Sequence, residues 1–183
     1  MTTRSVRNLG LAALPFWLVA AGYGARELIV TDVGDDWELP YAVFATALPI
    51  AAALTLAFVA AATGTAGRSV WRSIGLGVGA LGAFVGAVAA WAVPIWSALL
   101  AVGLGLLAAR SDGPLRRPLG VLAAGPAVGF VTQFAAPALG AGEDVAAGLA
   151  IVVAAAIVPA GLGSALRSLV TPDRAGVAAS HPR

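Results

Sequence analysis

Apolar residues in this chain come in long blocks instead of alternating with polar ones. Stretches without a single Asp, Glu or Arg cover residues 8–24, 41–63, 73–90, 93–109, 119–139 and 145–166, and the charged residues fall between them. Each block is 17 to 23 residues long, the length of helix that crosses roughly 30 Å of hydrocarbon. A transmembrane barrel would need strands of about 10 residues with alternating polarity. Lipid-exposed backbone must also satisfy its own hydrogen bonds, which a helix does within one segment. The pattern therefore predicts an all-α integral membrane protein, a six-transmembrane-helix bundle with short loops over residues 1–166.

The third and fourth blocks require an argument, because only Trp91 and Ala92 lie between them and no charge intervenes from Ser73 to Ala109. One helix through that whole stretch would extend about 55 Å, nearly twice the hydrocarbon thickness. Pro94 cannot continue a helical hydrogen-bond ladder, and Trp91 and Trp96 suit the membrane interface. Two helices joined by a tight hairpin are expected.

Charge gives an independent check. With six spans, Arg4, Arg7, Arg68, Arg72, Arg110, Arg116, Arg117, Arg167, Arg174 and Arg183 share one side with Asp112 and Asp173, a net of +8. Arg26 falls on the other side with Glu27, Asp32, Asp35, Asp36, Glu38, Glu143 and Asp144, a net of −6. Short cytoplasmic loops collect basic residues, so both termini are expected in the cytoplasm of a multi-pass cell-membrane protein. Tyr23, Trp37, Tyr41, Trp91 and Trp96 fall near outer span ends, and Trp71 near an inner one, as interface anchors do. Residues 167–183 read as a polar, disordered cytoplasmic tail. An alternative for the first span is a cleaved secretory signal, since Arg4 and Arg7 precede the apolar run and Val19, Ala20 and Ala21 resemble a small-residue cleavage site.

Composition narrows the chemistry. The 183 residues are 60% hydrophobic and 11% charged, whereas a soluble domain is roughly 25% charged. The absence of Cys removes disulfides, thiolate metal sites and cysteine nucleophiles. His181 is the only histidine, and all basic residues are Arg, which leaves no haem ligand pair and no Schiff-base lysine. No ionisable residue falls inside a span, an unfavourable composition for a proton-coupled pump. No acid, base, nucleophile or metal constellation emerges, so no enzyme activity and no cofactor is expected. The sequence pI of about 9.9 follows from membrane orientation and affinity for anionic headgroups, so the lipid bilayer, not nucleic acid, is the expected basic-surface partner.

Within the spans, Gly75, Gly79, Gly82 and Gly86 recur every three or four residues and line one helical face. Small residues at this spacing let a second helix approach closely, within the chain or in a homo-oligomer. Pro126 with Gly125 and Gly129, and Pro159 with Gly161 and Gly163, are candidates for broken helices that expose backbone to a solute. Gln133 is the only amide well inside a span. Facing lipid would be costly, so it is expected to point inward, either bonding a neighbouring helix for about 0.6–2 kcal/mol or contacting a solute. The acidic loop from Arg26 to Glu38 lacks the EF-hand pattern and reads as a solvated loop, with weak cation binding as the alternative. Two functions stay open: an accessory or structural membrane component with a membrane-protein partner or a second copy, or a channel or facilitator for a small neutral or weakly polar solute.

Overall fold

The computed structural model describes residues 3–29, 38–63, 70–111 and 113–170. Among them all regular structure is helical: α1 (Thr3–Ile29), α2 (Glu38–Ala62), α3 (Val70–Val88), α4 (Val93–Ala109), α5 (Arg116–Ala138) and α6 (Glu143–Val170), with a 3-10 turn over Gly113–Leu115 ahead of α5. Five of these helices are long and apolar enough to cross a membrane, and the remaining one, α4, is an apolar helix of 17 residues. At 1.5 Å per residue α4 spans about 26 Å. It lies between α3 and α5, so protein covers both its flanks. Asp32, Asp35 and Asp36 of the acidic loop, and residues 171–183 of the polar tail, lie outside the described residues.

The chain does break between α3 and α4. Ala92 N–H donates to the Ala89 carbonyl at 2.9 Å and Val93 N–H to the Trp91 carbonyl at 2.8 Å, which closes the turn. Pro94 stands in the first turn of α4, where its missing N–H costs no helical hydrogen bond. Several helices outrun their apolar blocks. Helix α1 includes Arg4, Arg7, Arg26 and Glu27, and α6 continues past Leu166 through Arg167 to Val170. A charge marks where the chain leaves hydrocarbon, but the backbone ladder continues until something interrupts it. Glu143 and Asp144 in the first turn of α6 and Arg167 in its last also complement the helix dipole.

Each helix packs against its chain neighbours, and α6 returns to close on α1. The result is a closed ring. Partners run antiparallel: Gly10 of α1 lies against Phe58 of α2 and Leu166 of α6, whereas Gly24, at the other end of α1, lies against Gly148 and Ile151 of α6. Among the described residues, large side chains occupy the centre of the ring. Trp17, Phe44, Leu48, Phe58, Trp96, Leu122 and Leu162 are all 2% exposed or less and fill it.

The buried indole and hydroxyl groups of Trp17, Thr55, Trp96 and Ser97 are satisfied locally. Trp17 Nε1–H donates to Thr55 Oγ1 at 3.0 Å, and Thr55 donates in turn to the Ala51 carbonyl at 2.7 Å. Ser97 Oγ–H donates to the Val93 carbonyl at 2.6 Å. Trp96 was expected at the interface, but it is buried in the core, with its Nε1–H donating to the Ala90 carbonyl at 3.1 Å. Its ring thereby pins the hairpin from inside. Trp91, the other hairpin tryptophan, is 74% exposed. Large apolar side chains also cover the outside, including Leu18, Leu81, Phe84, Val102, Val131 and Phe134. An apolar surface this extensive is tolerated only against lipid or another protein.

Candidate functional site

The glycine face of α3 lies wholly against neighbouring helices, with all four glycines buried. A methyl group added at Gly75 would sit 3.0 Å from the Gly103 carbonyl, and one at Gly82 would sit 3.0 Å from the Leu100 amide nitrogen. These two face the α4 backbone. Gly79 and Gly86 also receive side chains of α2, with Leu56 Cδ2 and Leu48 Cδ2 at 2.6 and 3.3 Å from an added methyl. The facing glycine on α4, Gly103, is the tightest position of the seam: a methyl there would lie 2.6 Å from Gly79 N and 2.7 Å from the Gly75 carbonyl. Sequence reading singled out one wall of this seam and missed Gly103, because its neighbour Gly105 is equally glycine and faces open space.

Helices α5 and α6 run unbroken through Pro126, Pro137 and Pro159. Most of their glycines serve close packing. Gly125 and Gly129 face Ala150, Ala154 and Val158 of α6, and Gly161 faces Leu122 of α5, while Gly163 faces open space. Pro126 is fully buried and Pro159 half-buried. Gln133 falls on the same face of α5 as Leu122, Pro126 and Gly129, by spacings of eleven, seven and four residues. Its carbonyl Oε1 is buried and has no hydrogen-bond partner. That oxygen makes no bond to a neighbouring helix.

The two ends of the ring differ in charge. Among the described residues, Glu27, Glu38, Glu143 and Asp144 gather where α3 meets α4 and α5 meets α6, with Arg26 beside them. Arg4, Arg7, Arg72, Arg110, Arg116, Arg117 and Arg167 gather at the opposite end. At the basic end Arg72 Nη2 donates to the Ala60 carbonyl at 2.6 Å, tying the start of α3 to the end of α2. The Arg110 guanidinium sits 5.3 Å above the Trp71 ring centre, within cation–π range.

The acidic end holds a cavity of about 170 Å³ whose wall includes Tyr23, Glu27, Tyr41, Phe44, Trp91 and Asp144. These residues come from α1, α2, the α3–α4 turn and α6. Tyr23 stacks on Phe44 with ring centres 4.4 Å apart and meets Tyr41 edge-on at 6.4 Å. Glu27 follows Tyr23 by one helical turn and accepts from Arg26 Nη1–H at 3.1 Å. Asp144 is exposed. Tyr23, Tyr41 and Trp91 are each expected at the interface from sequence, Phe44 is not; that the four share one cavity with two carboxylates is a product of ring closure. Pro126, Gln133 and Pro159 do not belong to it.

Fold and surface define a helical membrane bundle with a filled interior. Compared with known protein families, with characterised proteins and with solved structures, the chain matches none.

Proposed function

We propose that this chain is a multi-pass cell-membrane protein with both termini in the cytoplasm, and that it acts as an accessory or structural component without catalytic activity. The observation that carries the reading is the interior of the ring. Its centre is filled by tryptophan, phenylalanine and leucine side chains, and its buried hydroxyl and indole donors are bonded to neighbours within the bundle. Such a core favours a rigid scaffold over a water-filled path. Outward faces such as Leu81, Phe84 and Val88 of α3 offer lipid or a membrane partner a broad apolar surface. Segregation of Arg from Asp and Glu supports the orientation.

Purification from native membranes in mild detergent, with the mass of the intact complex, tests the role. A stoichiometric heteromeric partner is the expected result, and a lone monomer refutes it. The chain contains no Cys, so single cysteines at Trp91, Gly142 and Pro114 report topology with an impermeant thiol reagent. Labelling from outside at Trp91 and Gly142 but not at Pro114 is expected.

A second reading, a facilitator for a small neutral solute, is favoured by one observation, the unpartnered Oε1 of Gln133 on the buried face of α5. Flux of such a solute into proteoliposomes, abolished by Gln133→Leu, would establish it.

A further inference from the structure

We infer that the cavity at the acidic end is a binding site for a small organic ammonium ion. The inference stands apart from the accessory role and from the membrane orientation, since it rests on the walls of the cavity alone. Three features point to this ligand. Four aromatic side chains, Tyr23, Tyr41, Phe44 and Trp91, line one space of about 170 Å³, and aromatic faces attract weakly hydrated cations. Glu27 and Asp144 share the same wall, and Arg26 neutralises one negative charge through its 3.1 Å contact with Glu27. The wall itself thus keeps one net negative charge, that of Asp144, and Glu38 and Glu143 at the same end add to the negative field, which suits a cation.

The third feature is what the wall lacks. Among the described residues no group of three His, Asp or Glu side chains converges to hold a metal, whereas Ca²⁺ requires about 6–8 oxygen ligands. Two carboxylates among aromatic rings match an alkylammonium instead, whose methyl groups contact the rings while its charge is balanced at a distance. Part of the wall is preorganised: Phe44 is 1% exposed and its ring is stacked by Tyr23. Trp91, at 74% exposure on the α3–α4 turn, forms the outer part of the wall.

The same chemistry is presented by a free solute and by the ammonium headgroup of a phospholipid. The test is calorimetric titration of the full chain, delipidated in a maltoside detergent, with tetramethylammonium and with choline. The control ligand is 3,3-dimethylbutan-1-ol, the uncharged isostere of choline. Saturable one-to-one binding of both ions and none of the alcohol is expected. Trp91→Ala should weaken binding by roughly 2- to 30-fold, the range of a cation–π contact at a partly exposed site, and Asp144→Asn by up to about 5-fold, the range of an exposed ion pair. Both positions are exposed, so the wild-type melting temperature should persist, and Glu27→Gln provides a third variant should either one misfold.

Binding that survives added phosphatidylethanolamine and phosphatidylcholine supports a free solute. Displacement by those lipids, with one such lipid retained in the intact mass of wild type and lost from Trp91→Ala, supports the headgroup. Equal binding of the alcohol, binding unchanged in all three variants, or no saturable heat with any ion overturns the inference.

Discussion

Two seams of the bundle use the same residue type differently. Along α3–α4, glycine meets backbone: Gly75, Gly82 and Gly103 leave less than a carbon's room before a carbonyl oxygen or an amide nitrogen. Along α2–α3, glycine meets side chains: Gly79 and Gly86 accept the ends of Leu56 and Leu48. In the first seam the absent Cβ sets the distance between two helix axes. In the second it makes a hole for a knob, and a leucine can change rotamer. Without a hydrophobic driving force between helices in lipid, such close packing supplies much of the association energy. Small-residue faces are therefore unequal in consequence even when they share one helix and one spacing.

The largest effect should come from Gly103→Ala. Relief requires the α3 and α4 backbones to separate, at a cost of about 3 kcal/mol or more, and we expect loss of a monodisperse peak together with a collapsed unfolding midpoint in mixed micelles. Gly79→Ala meets the end of Leu56 instead and should cost about 1–2 kcal/mol in the same assay, leaving the protein folded. Equal losses from the two substitutions would erase the distinction between the seams.

Smaller effects sharpen it. Trp17→Phe removes the indole donor to Thr55, whose own hydroxyl keeps its bond to Ala51, and should lower stability by about 1 kcal/mol. Gln133→Leu removes a buried, unpartnered carbonyl and should leave the unfolding midpoint unchanged or raise it, by up to about 1 kcal/mol; a clear loss would show that the amide makes a contact important to the bundle. Gly77, on the open side of α3 with nothing within 4 Å of an added methyl, should tolerate Ala with a gain of at most about 1 kcal/mol, the helix-propensity difference.

Helix number and the α3–α4 break were legible from residue order, because crossing a bilayer demands about 20 apolar residues in succession and Pro94 with its neighbours interrupts the succession. Helix ends were less legible. The continuation of α1 to Ile29 and of α6 to Val170 depends on backbone hydrogen bonding, which tolerates Arg26, Glu27 and Arg167, whereas hydropathy counts them as stops. Trp96 shows the same limit for side chains. An indole near a span end suits the headgroup level, yet here the ring turns inward and bonds Ala90, a choice made by the space the other helices leave.

The candidate site was legible only in fragments. Tyr23, Tyr41, Trp91, Glu27 and Asp144 each stood out as interfacial or charged, but they are dispersed from residue 23 to residue 144, and no local spacing links them. By itself the amino-acid order determined membrane character, helix count and the division of Arg from Asp and Glu, since each of these is a property of one segment and its solvent. Only the tertiary structure decided that α6 closes on α1, that Gly103 is the point of closest approach, and that aromatic rings from three segments enclose one cavity with carboxylates of α1 and α6. Those outcomes come from packing among distant segments, where the shape of every helix face constrains every other.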